Sequence, residues 1–330
     1  MASGDKSRIY WSKAFESTFG TAVAGTLSFA ITDDLSPAHT DEIDDQINGT
    51  IFQDRVTRTA LMGSGSPSGQ ATSELLTALF KALMWTSPAT TGAGDPYTHT
   101  WTDDTANGFG GTGSGVSVTK QIASISTFIP RFAGVIVPSL TISGGGSGKV
   151  NVSWNWQACG TIAATTEPVV SIPSEGYYVS KKSTLTVDAT GGSSPTDISS
   201  RVSDFSITFN AGTELLPRIG STSGEFVGAD RGPRPTIEFS YTIDEGAVNE
   251  KSGHDDYAAG TFRKFILTLK GDSNRDCVIT IAKARLMPGY PLRIGEHGVY
   301  KVQRKLECFY DSTLTPKIVS VAVRSGVTSY

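Results

Sequence analysis

Cysteine is scarce in this chain: Cys159, Cys277 and Cys308 are the three present. An odd count without a short C-x-x-C spacing implies neither a disulfide framework nor a zinc site, so free and mostly buried thiols are expected. Histidine is as sparse. His39, His99, His254 and His297 stand in no H-x-x-x-H or H-x-E pairing that would nominate a metal centre. No G-x-S-x-G nucleophile elbow occurs, and nothing nominates a catalytic triad. Charge is also thin, at 18% of residues against roughly 25% in ordinary soluble domains. An excess of basic residues is missing altogether. The formal net charge is −4 and the isoelectric point about 5.6, which argues against a protein that grips nucleic acid by neutralising phosphates. The deficit is local: residues 1–165 hold 9 Lys and Arg against 13 Asp and Glu, whereas residues 166–330 hold 19 of each. No run approaches the ~18 apolar residues of a membrane span, and Met1–Lys6 lacks the apolar stretch of a signal peptide. Synthesis and assembly in the cytoplasm, without a membrane partner, are therefore expected, and the N-x-[ST] matches at Asn48 and Asn151 carry no glycosylation meaning.

What is abundant is glycine, 36 residues among 330, together with Ser, Thr and short apolar runs, a composition suited to a β-rich protein with many turns. The length predicts two domains rather than one. A polar, partly aromatic arm, Arg8-Ile9-Tyr10-Trp11, precedes a strand at Thr26–Ile31. Asp33–Asp45 is rich in carboxylates without Lys or Arg and reads as a solvated loop, which could instead face a lumen or a neighbouring subunit. Thr50–Met62 is a second strand-like run. Ala71, Leu75, Leu76, Leu79, Phe80 and Leu83 then recur at i, i+3 and i+4, predicting a helix over Gln70–Trp85 capped by Thr72 or Ser73.

Strands are predicted at Tyr97–Trp101, Gly115–Thr119, Ile122–Ile129, Phe132–Ile142 and Lys149–Gln157. The last two form the clearest hairpin, with Val150, Val152, Trp154 and Trp156 on one face across a Gly-rich turn. Trp154 and Trp156 are expected in the core, with an interface as the competing place. Residues 160–200 read as a linker containing one strand, Ser183–Val187. The second half continues with strands at Arg201–Asn210 and Thr236–Ile243, a weaker helix at His254–Phe262, a hairpin of Phe265–Lys270 with Cys277–Leu286, and Val299–Tyr310. The order of elements in the first half is partly repeated, which supports a duplicated β-module of about 150 residues: residues 1–160, a linker at 161–200, and residues 201–330.

Three motifs imitate binding loops. Gly108–Gly113 matches G-x-G-x-x-G but has no strand-to-helix context. Ser143–Val150 lacks the first Gly and last Ser or Thr of a phosphate loop and is a hairpin turn. Asp44–Arg55 opens like an EF-hand but offers Gln46 and Arg55 where ligands are needed. No cofactor or metal is expected.

Several phrases together resemble the phage tail tube protein family in its two-module form. They are Glu16-Ser17-Thr18-Phe19-Gly20-Thr21-Ala22 after the aromatic arm, the turn and helix of Ser64–Met84, Val202–Asn210, Arg218-Ile219-Gly220-Ser221, and Arg231–Ile237. The resemblance implies a mainly β protein of two tandem β-sandwich or half-barrel modules, each with a short flanking α-helix. It implies no enzyme but a structural subunit of a virion tail. Two modules per chain and about six per ring give a trimeric, pseudo-sixfold ring, whose bore passes DNA without binding it. Copies of itself, the tape measure protein, the tail terminator and the tail tip proteins are the implied partners. Candidate inter-ring or lumen contacts are Tyr10, Trp11, Asp33, Asp34, Asp41, Glu42, Asp44 and Asp45, with the arm Met1–Trp11 and the tail Leu314–Tyr330 expected to order on the next ring. The competing reading is a carbohydrate- or receptor-binding β-sandwich; a hydrolase on a β-scaffold is a distant third.

Overall fold

A computed structural model describes residues 8–29, 31–32, 36–43, 56–102, 115–121, 129–146, 148–164, 170, 176–217, 224–227, 235–244, 247–271, 274–287, 301–327 and 330. In chain order the first half runs β1 (Arg8–Trp11), β2 (Leu27–Phe29), β3 (Ile31–Thr32), β4 (Ser36–Ile43), β5 (Val56–Gly65), β6 (Ser68–Gln70) and α1 (Ser73–Met84). It continues with β7 (Ala89–Thr91), β8 (Tyr97–Thr102), β9 (Val116–Gln121), β10 (Ile129–Gly145), β11 (Asn151–Ala158) and β12 (Gly160–Ala164). The second half runs β13 (Thr184–Ala189), β14 (Thr196–Asp197), β15 (Val202–Asn210), β16 (Glu214–Pro217), β17 (Gly224–Val227), β18 (Thr236–Asp244) and α2 (Ala247–Ala259). It ends with β19 (Arg263–Lys270), β20 (Asp276–Leu286), β21 (Lys301–Cys308) and β22 (Val319–Ser325). The protein is mainly β, and every strand pairing is antiparallel.

The alternation of apolar and polar residues does what a period of two requires, placing one face inward. In β11, Val152, Trp154, Trp156 and Ala158 are buried while Asn151, Ser153 and Asn155 are exposed. In β18, Ile237, Phe239, Tyr241 and Ile243 are buried in the same way. The hairpin of β10 and β11 forms in the expected sense, with Leu140 opposite Trp154 and Ile142 opposite Val152. Trp154 and Trp156 are core residues.

β10 joins two sheets. Its first part pairs with β9 and β12, its second with β11 and β15. The register shifts between these parts, and Gly134 sits there with φ +58. An extra residue in a strand redirects it, and glycine adopts this backbone without steric cost. A Cβ at Gly134 would lie 2.4 Å from the sulfur of Cys159, so an alanine would force the sheet junction apart. From β15 the sheet continues through β18, β21, β20, β19 and β13, while β20 also pairs with β22, and β22 with β8. The two halves are thus joined by two ladders, β10 to β15 and β22 to β8.

One core cluster draws residues from both halves, including Trp156, Phe80, Phe209, Phe239, Leu267 and Val321. Helix α1 lies inside it. Thr72 caps its start, the hydroxyl accepting from Leu75 N–H at 3.3 Å, and Trp85 ends it in a left-handed conformation. Every residue of α1 is buried, Lys81 and Glu74 included. The i, i+3, i+4 spacing predicts this helix, which packs against β10, β8 and β22. Lys81 is accommodated because its ammonium donates to the Lys13 carbonyl and lies 4.3 Å from the centre of the Phe15 ring. Burial lowers its pKa to about 8.

Three expectations are corrected. Tyr10 and Trp11, expected on a contact surface, are 1% exposed each: β1 is held between β2 and β9, and Trp11 stacks on Trp156 at 5.8 Å. The tail Leu314–Tyr330, expected to be an arm, contains β22, whose Val319, Val321 and Val323 are fully buried. Ser36–Ile43 is a strand despite Pro37 and its carboxylates, because β5 pairs along its length. Within 161–200, β13 pairs with β19, and the backbone of Tyr178 bonds to Ala71 and Val150.

The three cysteines are free. Cys159 and Cys277 are fully buried, and burial lifts all three thiols, that of Cys159 to about 11. Because the thiolate is the reactive form, a thiol-specific dye at pH 7 should leave the native chain nearly unlabelled and modify three groups after denaturation. Fast stoichiometric labelling of the native chain would contradict the packing described.

Candidate assembly surfaces

β4 and β5 form a two-stranded ribbon in the first half. Their register runs from Ser36 opposite Ser64 to Ile43 opposite Val56, with one shift between Thr40 and Asp41. Only Gly63, Ser64 and Gly65 of β5 pair with the body, against Ala158, Gln157 and Trp156. Val56–Met62 of β5 lie along β4, their one strand partner among the described residues, while β5 also runs beside β12 and β17 and Met62 packs against Trp85, Ile136, Cys159 and Leu215. A chain that makes such a ribbon exposes backbone edges that another copy can cover. Asp41 and Glu42 lie on the outer part of β4; Asp33, Asp34, Asp44 and Asp45 lie outside the described residues.

Open edges are a second assembly feature. In the sheet ordered β2, β1, β9, β10 and β12, the outer strands β2 and β12 have one described partner each. β14 and β7 likewise pair on one side only among the described residues.

The loop between β1 and β2 is pinned by Glu16, which is 3% exposed. One carboxylate oxygen accepts from the Gly134 N–H at 2.8 Å and from the Ser117 hydroxyl at 2.6 Å; the other accepts from the Gly20 N–H at 2.8 Å. Gly20 has φ +84, and a Cβ there would meet the Cys159 sulfur at 3.1 Å. Phe19 stacks on Trp85 at 6.3 Å. The phrase Glu16 to Thr21 is therefore a structural clasp across β9 and the bulge of β10. Sequence reasoning noted the phrase but not the role of Glu16; a lone glutamate four residues before a glycine inside an apolar, aromatic neighbourhood was the available signal.

Burial pushes the Glu16 carboxyl above its ordinary value against the pull of its three donors. Below pH 4.5 it is protonated both folded and unfolded; as pH rises through the raised folded value, the unfolded chain ionises first and stability is lost. Glu16→Ala orphans three donors, each costing about 1–3 kcal/mol if buried, so a loss of about 3 kcal/mol or more is expected in denaturant titration. Glu16→Gln, with no proton to release, should flatten the stability profile above pH 4.5; a profile identical to that of the wild type would contradict this account.

Among the described residues no cluster of three or more His, Cys, Asp or Glu could hold a metal, and no helix is long and apolar enough to cross a membrane. The segments 103–114, with the G-x-G-x-x-G match, and 44–55, with the EF-hand imitation, lie outside the described residues, as do Arg218–Ser221 and 228–234. The Ser143–Val150 motif is a turn between β10 and β11, with Gly146 at φ +57. A comparison with curated proteins finds no match. A family model described as phage tail tube protein matches residues 4–250, from before β1 into α2. The match spans most of the chain, and on it the chain belongs to the phage tail tube protein family, as a structural, self-associating component of the virion tail.

Proposed function

We propose that three chains close into a pseudo-sixfold ring and that rings stack head to tail into the conduit for genome delivery. The self-paired hairpin of β4 and β5 carries this reading, since among the described residues Gly63–Gly65 are its strand contact with β11 and β4 pairs with β5 alone, which leaves a ladder edge for another copy. Residues 1–160 and 201–330 act as two tube modules, and the ladder from β10 to β15 within the chain stands for the pairing that neighbouring chains make at their open edges. Closure of the ring covers edges such as β2 and β12 that would otherwise aggregate. A sparsely basic chain lets DNA slide past rather than adhere. The tape measure, terminator and tip proteins meet the bore or the ends of such a tube, assembled in the host cytoplasm.

The competing carbohydrate- or receptor-binding reading needs aromatic faces open to solvent. All five tryptophans are 2% exposed or less, which favours the tube. Negative-stain electron microscopy of the concentrated purified protein should show long hollow filaments; a dispersed monomer at every concentration would overturn the proposal.

A further inference from the structure

We propose that His99 is an acid-sensitive clasp at the seam between the two halves, holding Ser325–Val327 in place at neutral pH and releasing it on acidification.

His99 belongs to β8, in the first half, and is fully buried. Both ring nitrogens are engaged. Nδ1 lies 2.9 Å from the Thr90 hydroxyl of β7, whereas Nε2 lies 2.9 Å from the Val327 carbonyl and 3.1 Å from the Ser325 hydroxyl of β22. A carbonyl only accepts, so Nε2 carries the proton and Nδ1 accepts from Thr90. This arrangement is the neutral ring in one fixed tautomer. The Ser325 hydroxyl also accepts from the Val327 N–H at 3.2 Å, and the Tyr330 ring stands edge-on to the imidazole at 5.1 Å. One side chain of the first half thus fastens the point where the chain leaves β22, just past the ladder that joins the halves.

A second proton would go onto Nδ1, and the resulting charge would stand in a dry site with nothing to balance it. β7 offers a hydroxyl. β22 offers Ser325, since Arg324 is exposed and turned to Asp276, and the phenol of Tyr330 is uncharged near neutrality. On β20, burial pushes the Cys277 thiol up, opposite Val323, and the Arg275 guanidinium lies against Gly326 and pairs with Asp95. α1 meets β8 through Phe80 and Trp101; it carries Glu74 and Lys81, and the imidazole bonds to neither. Among the described residues no carboxylate touches the ring. Burial accordingly lowers the pKa of His99, against the pull of the Val327 carbonyl. A group held neutral in the folded state stabilises it above the unfolded value of about 6.5 and loses that contribution as pH falls below it. Opening the short stretch past β22 hydrates the imidazole and leaves the ladders intact, so it is the smallest rearrangement that relieves the charge.

Amide hydrogen exchange of the full-length chain, read by mass spectrometry and corrected for the intrinsic pH dependence, tests the clasp. Between about pH 7.5 and 5.5, protection of the peptide carrying Ser325–Val327 should fall about tenfold, the ratio set by one proton taken up below the ordinary histidine value. Protection of the ladder between β10 and β15 should stay constant. His99→Gln keeps an N–H for Val327 and a carbonyl for Thr90 but takes up no proton, so its protection should be equal at both pH values. A wild-type peptide unmoved by acid, a His99→Gln chain that follows the wild type, or an equal loss in the ladder of β10 and β15 would overturn the proposal. If His99→Gln does not fold, the wild-type imidazole decides. Nuclear magnetic resonance should find it protonated at Nε2 and titrating below the ordinary histidine value; titration at or above that value would be as damaging.

Discussion

Deleting Asp41–Asn48 should leave a protein that melts within a few degrees of the wild type and forms no tubes at any concentration. The expectation follows from how the hairpin is attached. Ser36–Thr40 still pairs with Ala60–Ser64 after the deletion, and Gly63–Gly65 still pairs with β11. What disappears is the part of β4, Asp41, Glu42 and Ile43, that faces Arg58, Thr57 and Val56 beyond the sheet. Asp41–Ile43 pair with β5 alone among the described residues, so effects within about 0.5 kcal/mol are expected on folding. On the proposed stacking, assembly loses the ribbon that meets the next ring, and a repeating contact removed from every ring is removed from the whole filament. Tubes of normal length from the deleted chain would show that stacking uses another surface.

Replacing Phe80 by Ala should destabilise both halves together by about 3–5 kcal/mol. Phe80 is fully buried in α1, edge-on to Phe209 of β15 at 5.4 Å and beside Trp101 of β8 at 6.1 Å. These two aromatic partners come from different halves, so the cavity opens at the seam. Thermal unfolding followed by circular dichroism and by tryptophan fluorescence should give one coincident transition, shifted down in the variant. Two separate transitions, one unmoved by the substitution, would mean that the halves fold as independent units despite their shared ladders.

The parts of this fold that could be read in advance are those written in local pattern. Alternation around Gly144–Gly148 was enough for the hairpin of β10 and β11, and the i, i+3, i+4 spacing from Ala71 to Leu83 was enough for α1. Thr72 as the cap follows from chemistry within one turn. What escaped local reading depends on partners distant in sequence. Tyr10 looks like part of a free aromatic arm until Gln121 accepts from its hydroxyl at 2.6 Å across more than a hundred residues. Leu314–Tyr330 looks like a polar tail because three valines in alternation are short evidence for a strand, yet β20 and β8 enclose them on both sides. α1 was legible as a helix, whereas the burial of Lys81 and Glu74 depends on neighbours that local spacing does not show. The carboxylates around Asp41 hid a strand because composition signals solvent exposure, whereas the strand is set by its register with β5. The clasp at Glu16 was visible as a phrase without a function, because its acceptor role needs the amides of Gly20 and Gly134 to be brought within reach.

The ladder between β8 and β22 joins residues such as His99 and Ser325 that lie 226 positions apart. Contacts of such long range are entropically slow to form, so a newly made chain spends an interval with the β8 edge uncovered and the central helix only partly enclosed. During that interval a neighbour could insert its own strand in place of β22 and trap an exchanged dimer. The lag would thus act as a checkpoint: a subunit competent to polymerise is one in which this late ladder has already closed on itself.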